Sequence, residues 1–242
     1  MSIKATYLYN SGFILNFPDA VAVVDYYAQS PEDAAAFEAK VQAAFLSGKK
    51  PYVLVTHGHA DHFTPGIYSW SKAYPGLTYV VSFDVPTADA PDEGVHVLRP
   101  GEVFADEVIG VRAFGSTDQG SSFLIESGDK TLFHAGDLNN WHWNEECPPD
   151  EAMGYEQAYL RELEILASHT TSLDAALFPI DPRLGRDHAR GARQFLERIR
   201  VGVMLPMHFR EEYAAANAFE GEAATYGTRF VSIDTKGQEA LI

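Results

Sequence analysis

Tyr52-Val-Leu-Val-Thr-His57-Gly-His59-Ala-Asp61-His62-Phe-Thr-Pro65 decides how the rest of the chain is read. Val53, Leu54 and Val55 form a short apolar run of the strand type, and it stops abruptly at His57, His59, Asp61 and His62. Imidazole nitrogen and carboxylate oxygen are the donors that Zn²⁺ and similar divalent ions accept at neutral pH. Four such groups within six positions form a costly cluster unless a cation stands among them. Gly58 lets the backbone turn tightly enough for His57 and His59 to converge on one ion. Asp61 and His62 fall where a following helix would begin, within reach of a second ion. The bland alternative is a polar turn with unconnected histidines; three of the chain's nine His in one loop behind a buried-type strand weigh against it.

The same motif, an apolar run ending in a polar residue, returns along the chain. Val21-Ala-Val-Val24 ends at Asp25, Leu132 to Gly136 at Asp137, Ala175 to Ile180 at Asp181, and Val203 to Met207 at His208. Such endings are what a site built on the ends of packed strands requires. Asp25 is read either as a strand-end turn residue or as a carboxylate that orients a ligand histidine through its second ring nitrogen. His134 lies three residues before Asp137 and would point to the opposite face of an alternating strand, as a hydrogen-bonded core histidine.

At 242 residues the chain has ample length for a sizeable core, and no Pro/Gly/Ser linker divides it, so one domain over 1–242 is expected. The net charge of −16 argues against nucleic acid or an anionic membrane as partner and leaves a small-molecule substrate, with oligomeric state open. Cys147 is the only cysteine, which excludes an intrachain disulfide and fits a reducing compartment. Met1 to Tyr9 alternates like a strand and lacks the basic start and apolar block of a signal peptide, and no run is long enough for a membrane span; these point to the cytoplasm.

Ile3 to Phe17 and Ala20 to Tyr26 read as an antiparallel meander broken at Asn10-Ser11-Gly12 and Pro18-Asp19. Ser30-Pro31-Glu32-Asp33 starts a helix with Phe37, Val41 and Phe45 as its buried stripe. Short strands follow at Thr78 to Ser82, Val95 to Leu98, Val108 to Phe114, Ser122 to Glu126 and Lys130 to His134. Tyr155 to His169 is an amphipathic helix, Glu211 to Tyr226 a final helix, and Arg229 to Ile233 with Glu239 to Ile242 finishes the sheet.

His57-Gly-His59-Ala-Asp61-His62 resembles the His-x-His-x-Asp-His signature of the metallo-β-lactamase-fold hydrolases, over nearly the whole chain. Asn10-Ser11-Gly12-Phe13 and Val24-Asp25 are similar to the opening of the L-ascorbate-6-phosphate lactonase-like group. The resemblance implies an α/β fold of four layers, an αββα sandwich, with a one- or two-metal site at one edge. It implies that His57 and His59 hold one ion, that Asp61, His62 and His208 hold the other, and that Asp137 bridges them. It favours the orienting role for Asp25. The ions would be one or two Zn, with Mn or Fe as alternatives. Hydroxide generated at the metal would cleave an ester, lactone or phosphodiester bond in a small anionic substrate, with Asp61 and His142 as catalytic residues.

The loop Gly115-Ser-Thr-Asp118-Gln-Gly120 falls where that family supplies a further histidine, and it has none. Asp118 either replaces the imidazole or belongs to a plain hairpin turn. His142, bracketed by Trp141 and Trp143, is the candidate for the missing ligand or for a general acid, against an anchored surface loop. Arg183 and Arg186 open an arginine-rich stretch in an acidic protein and would hold an anionic group, the alternative being structural pairing. A non-catalytic, metal-stabilised sensor on the same fold is the second reading, and di-iron redox chemistry a third, disfavoured by the lack of a flavin-binding segment or Cys-x-x-Cys.

Overall fold

A computed structural model describes residues 3–242, so the first two residues of the expected Met1 to Tyr9 strand lie outside the described residues. β1 (Lys4–Tyr7), β2 (Phe13–Asn16) and β3 (Ala20–Val24) make the antiparallel meander that the turn residues announce. α1 (Pro31–Phe45) starts as read, with the Ser30 hydroxyl accepting from the backbone N–H of Asp33 at 3.1 Å. It crosses over so that β4 (Lys50–Val55) lies parallel to β3, and β5 (Thr78–Ser82) and β6 (Val95–Leu98) continue in parallel. The chain then enters the second sheet with β7 (Val103–Ala105), β8 (Gly110–Phe114), β9 (Ser122–Ser127) and β10 (Lys130–His134). α2 (Pro149–His169), β11 (Ser172–Pro179), α3 (Arg190–Arg198) and β12 (Arg200–Met207) follow. α4 (Tyr213–Asn217), α5 (Glu220–Thr225), β13 (Arg229–Phe230) and β14 (Glu239–Leu241) end the fold.

The two sheets have seven strands each, in the orders β14-β1-β2-β3-β4-β5-β6 and β13-β12-β11-β10-β9-β8-β7. Strands covered on both faces need apolar side chains throughout, which is why Ala20 to Val24 are all buried rather than alternating. Phe13, Leu15, Ala22, Val24 and Leu54 of the first sheet share one buried cluster with Val111, Phe123, Ile125 and Leu132 of the second. On the outer face of the first sheet, Val21, Val23, Val53 and Val55 pack with Phe37, Val41 and Phe45 of α1. On the outer face of the second, Phe133 and Phe178 meet Phe195 of α3 at 5.6 and 4.7 Å between ring centroids, and Phe178 meets Tyr159 of α2 at 6.5 Å. The result is a helix–sheet–sheet–helix sandwich.

Several boundaries differ from expectation for identifiable reasons. β7 went unread because it is a three-residue edge strand with little burial. α2 begins at Pro149 rather than Tyr155, on the same signals that start α1: proline in the first turn, then Asp150 and Glu151. The last helix is broken in two. The Asn217 side chain donates to the Ile233 carbonyl at 2.9 Å and accepts from its N–H at 3.0 Å, and Phe219 packs on Phe230 at 6.0 Å. Among the described residues no helix is long and apolar enough to cross a membrane.

Candidate metal centre

The parallel strands deliver their C-terminal ends to one edge of the sandwich. β3 and β4 are neighbours in the first sheet, and β10, β11 and β12 are neighbours in the second. Asp25, His57, Asp137, Asp181 and His208 therefore lie just beyond five strands that run the same way within each sheet, the position where open α/β sheets place ligands.

Two sets of donors form there: His57, His59 and Asp137, and Asp61, His62 and His208, with the donor atoms of each set all within 4.8 Å of one another. Asp137 reaches into both. Its Oδ2 lies 3.5 Å from His57 Nε2, and its Oδ1 lies 3.1 Å from His62 Nε2 and 3.4 Å from His208 Nε2. His57 Nε2 and His59 Nδ1 are 3.1 Å apart. Asp61 Oδ2 is 3.9 Å from His62 Nε2 and 3.8 Å from His208 Nε2, and the Asn10 amide donates to it at 3.0 Å. His62 Nε2 and Asp137 Oδ1 are buried and 3.1 Å apart, yet they are not aligned for a hydrogen bond with each other and neither has another partner among the described residues. Buried donors and acceptors left so are costly, and a divalent ion coordinated by both removes that cost. The donor set fits a metal.

Each inner histidine is oriented from behind. The Asp25 carboxylate bonds His62 Nδ1 at 2.9 Å and is itself fixed by the Thr56 N–H at 2.8 Å and hydroxyl at 2.6 Å. The Asp181 carboxylate bonds His208 Nδ1 at 2.9 Å and is held by the Arg183 guanidinium. With Nδ1 so engaged, Nε2 of each ring faces Asp137.

The charges follow. Burial would raise the Asp137 carboxyl, but the imidazoles of His62, His208 and His57 hold it far below the usual carboxylate range. Burial opposes charge on His62 too; the facing Asp137 and the bond to Asp25 overcome it and raise that imidazole well above its ordinary value. His57, buried and beside His62, is pushed down. Asp181, despite burial, is held at about 2 by His208 and Arg183.

Strain collects at the same place. Asn10, Asp25, Trp143 and His208 are four of the five non-glycine residues with positive φ among the described residues, at 53°, 46°, 43° and 61°. Backbone of this kind costs on the order of 1–3 kcal/mol per residue and persists where surrounding contacts fix it. Here His208 N–H donates to the Asn10 carbonyl at 3.0 Å, so two of the four hold each other. Gly58 acts differently from the reading above: it has no positive φ, and its use is close approach, since a Cβ there would lie 3.1 Å from the Asp84 carbonyl. Its N–H donates to the Asp84 carboxylate at 2.9 Å.

A cleft of about 310 Å³ opens beside the donors, lined by Thr117, Asp118, Asp137, Trp141, Trp143, Tyr155, Arg183 and His208. Asp118 reaches the edge of the first set, with Oδ2 3.8 Å from His59 Nδ1. His142 does not join it. Its Nε2 bonds the Asp187 carbonyl at 3.1 Å and its Nδ1 accepts from the Asn144 N–H at 3.2 Å, so both ring nitrogens are committed to backbone and the expected ligand or general-acid role is withdrawn. Arg186 is also misplaced by the sequence reading: its side chain is 96% exposed, 4.0 Å from Glu145, and lines no part of the cleft. Arg183 lines it, but largely bound to Asp181. Asp181, Asn10, Thr56 and Asp84 are site residues beyond those expected from the sequence; Asp181 carries the same strand-end signal that marks Asp25, and Asn10 stands in the stretch likened to the lactonase-like group, without a role attached.

No protein-family profile matches the chain. It is 25% identical over 229 residues to a UPF0173 metal-dependent hydrolase of Desulforamulus reducens, covering 86% of this chain and 84% of the relative. Among solved structures it is similar to a metallo hydrolase of the archaeon Ignicoccus hospitalis, at a TM-score of 0.70 and 18% identity over 100% of this chain and 99% of that one. It is also similar to the metallo-β-lactamase fold protein YhfI of Bacillus subtilis, at a TM-score of 0.65 and 11% identity over 100% and 99% of the two chains. The fold is that of the metallo-β-lactamases. The Desulforamulus reducens relative is described as a metal-dependent hydrolase.

Proposed function

We propose that the protein hydrolyses an ester, lactone or phosphodiester bond in a small anionic substrate, using one or two divalent ions, zinc foremost, held by His57, His59, Asp61, His62, Asp137 and His208. The observation that carries this reading is Asp137, whose two oxygens face separate donor sets. Imidazole and carboxylate suit Zn, Mn or Fe, and Cys147 is in neither set. When bound, such an ion acidifies a coordinated water and polarises the substrate's electrophilic oxygen.

The chain's own residues do the rest. Asp25 and Asp181 fix the tautomers of His62 and His208 so that each presents Nε2. Asn10 holds Asp61 against the second set. Asp118 closes the first set on its open side, in place of the imidazole that the resemblance leads one to expect. Among the described residues Arg183 is the one Lys or Arg lining the cleft, and its Nη1 has no acceptor there, which leaves it to receive an anionic substrate group.

The test is turnover by zinc- and manganese-loaded protein of bis(p-nitrophenyl) phosphate, p-nitrophenyl acetate and a phosphorylated sugar lactone, the last following the likeness of Asn10 to Phe13 to the lactonase-like group. Hydrolysis of at least one, abolished in Asp137→Asn, is expected. Metal that raises the melting temperature with no hydrolysis of any would favour a metal-stabilised binding protein instead.

A further inference from the structure

Trp143 is a bulky residue in left-handed backbone, φ 43°, and the contacts that keep it there are numerous. Its carbonyl accepts from the N–H groups of Glu146 and Cys147 at 2.8 and 3.0 Å. The preceding His142 ties the loop down on both ring nitrogens, and Cys147 Sγ reaches the His142 carbonyl at 3.4 Å. What this apparatus displays is an aromatic wall. Trp141 and Trp143 are nearly parallel, 15° apart with centroids at 6.2 Å, and Tyr155 from α2 lines the same cleft. Trp141 is anchored to the metal centre, its indole N–H donating to the Asp137 carbonyl at 2.8 Å and its ring edge-on to His208 at 5.4 Å. Arg183 stands over the Trp143 ring, its guanidinium carbon 5.9 Å from the centroid.

We infer that Trp143, with Tyr155 and Arg183, forms a specificity subsite for a flat-faced ring carrying an anionic group, an aryl or a sugar ring, placed next to the scissile bond. This rests on the hydrolase reading above and names its substrate class. A rigid ring face adds dispersion and stacking to a bound ring without requiring a matching polar group. The free side of the guanidinium supplies the complementary charge, at a fixed place relative to that ring. His142 acts through Trp143: it is a positioning residue that holds the strained backbone, which accounts for a buried histidine between two tryptophans that is bonded only to backbone.

The test is calorimetric titration of metal-loaded protein, wild type and Trp143→Leu, with phenylphosphonate, glucose 6-phosphate and methylphosphonate, and with metal content measured alongside. Wild type is expected to bind at least one ring-bearing anion about tenfold more tightly than methylphosphonate. Trp143→Leu is expected to lose most of that ratio, the ring-bearing anions losing more affinity than methylphosphonate, at unchanged metal content. Preference for phenylphosphonate marks an aryl substrate, and preference for glucose 6-phosphate a sugar. No ring preference in wild type, or one that survives in Trp143→Leu, overturns the inference. Metal content decides the underlying reading separately: protein that takes up metal and binds methylphosphonate but ignores rings refutes the subsite alone, whereas protein that takes up no metal refutes the hydrolase.

Discussion

The Asp181 carboxylate accepts from His208 Nδ1 at 2.9 Å, the same distance at which Asp25 meets His62 Nδ1 on the opposite sheet. Two strand-end acids, one from each sheet, thus set the two histidines that face Asp137 Oδ1. Asp25→Asn and Asp181→Asn are each expected to weaken metal binding about 10- to 100-fold with the fold retained, as loss of such orienting carboxylates does elsewhere. Competition with a chromophoric chelator reads this directly; affinity unchanged in both would remove the orienting role.

His142 separates a structural from a metal-binding histidine. His142→Ala leaves the Asp187 carbonyl and the Asn144 N–H without their partner and is expected to cost about 1–3 kcal/mol in urea unfolding. Metal content should equal that of wild type. A drop in bound metal at unchanged stability would return His142 to the ligand set.

Gly120 lies where the 115–120 loop crosses the metal-binding loop, at φ +68°. A Cβ there would fall 2.3 Å from the Thr56 carbonyl and 2.4 Å from His57 Cβ, which leaves no room. Gly120→Ala is expected to destabilise by about 2–4 kcal/mol through strain and forced backbone movement. Gly48→Ala, at φ +82° with nothing within 4 Å of the new atom, should cost only about 1 kcal/mol. Equal losses in urea unfolding would show that φ alone, and not the contact with His57, sets the cost.

Asp106 gives stability a pH dependence outside the metal centre. Burial raises its carboxyl, but the N–H groups of Ile109 and Val108, the Tyr52 hydroxyl and Lys50 bring it to about 2, below its model-peptide value of 3.8. A depressed folded value contributes stability that is complete above the unfolded pKa and lost as pH falls through the folded one. The stability gap between wild type and Asp106→Asn should therefore be widest above pH of about 4 and close towards about 2. A gap of constant size across that window would contradict it.

How much of this was legible depended on distance along the chain. His57, His59, Asp61 and His62 could be read because donor chemistry and strand ending lie within one short stretch, whereas the αββα order came from the resemblance that this stretch carries and not from the apolar runs themselves. Asp181 was visible as a strand end, but its use was not, because its partner His208 arrives from the next parallel strand. His142 was misread because aromatic neighbours look alike in a sequence whether the histidine between them faces a cleft or a carbonyl 45 residues away. Arg183 and Arg186 are three positions apart and alike in kind; only the turn through Gly185, at φ +78°, sends one to Asp181 and the other to solvent. The broken last helix depended on Asn217 finding the Ile233 backbone, a contact that helix periodicity does not encode.

The most direct test of the central claim, that Asp137 joins two donor sets, is the metal stoichiometry of purified, reloaded protein beside Asp137→Asn, by elemental analysis with anomalous scattering maps. Two ions in wild type flanking Asp137, one near His57 and His59 and one near His62 and His208, with occupancy lost in the variant, is the predicted result. A protein that cannot be loaded at either set, or one whose ions bind equally well without the Asp137 carboxylate, would contradict it.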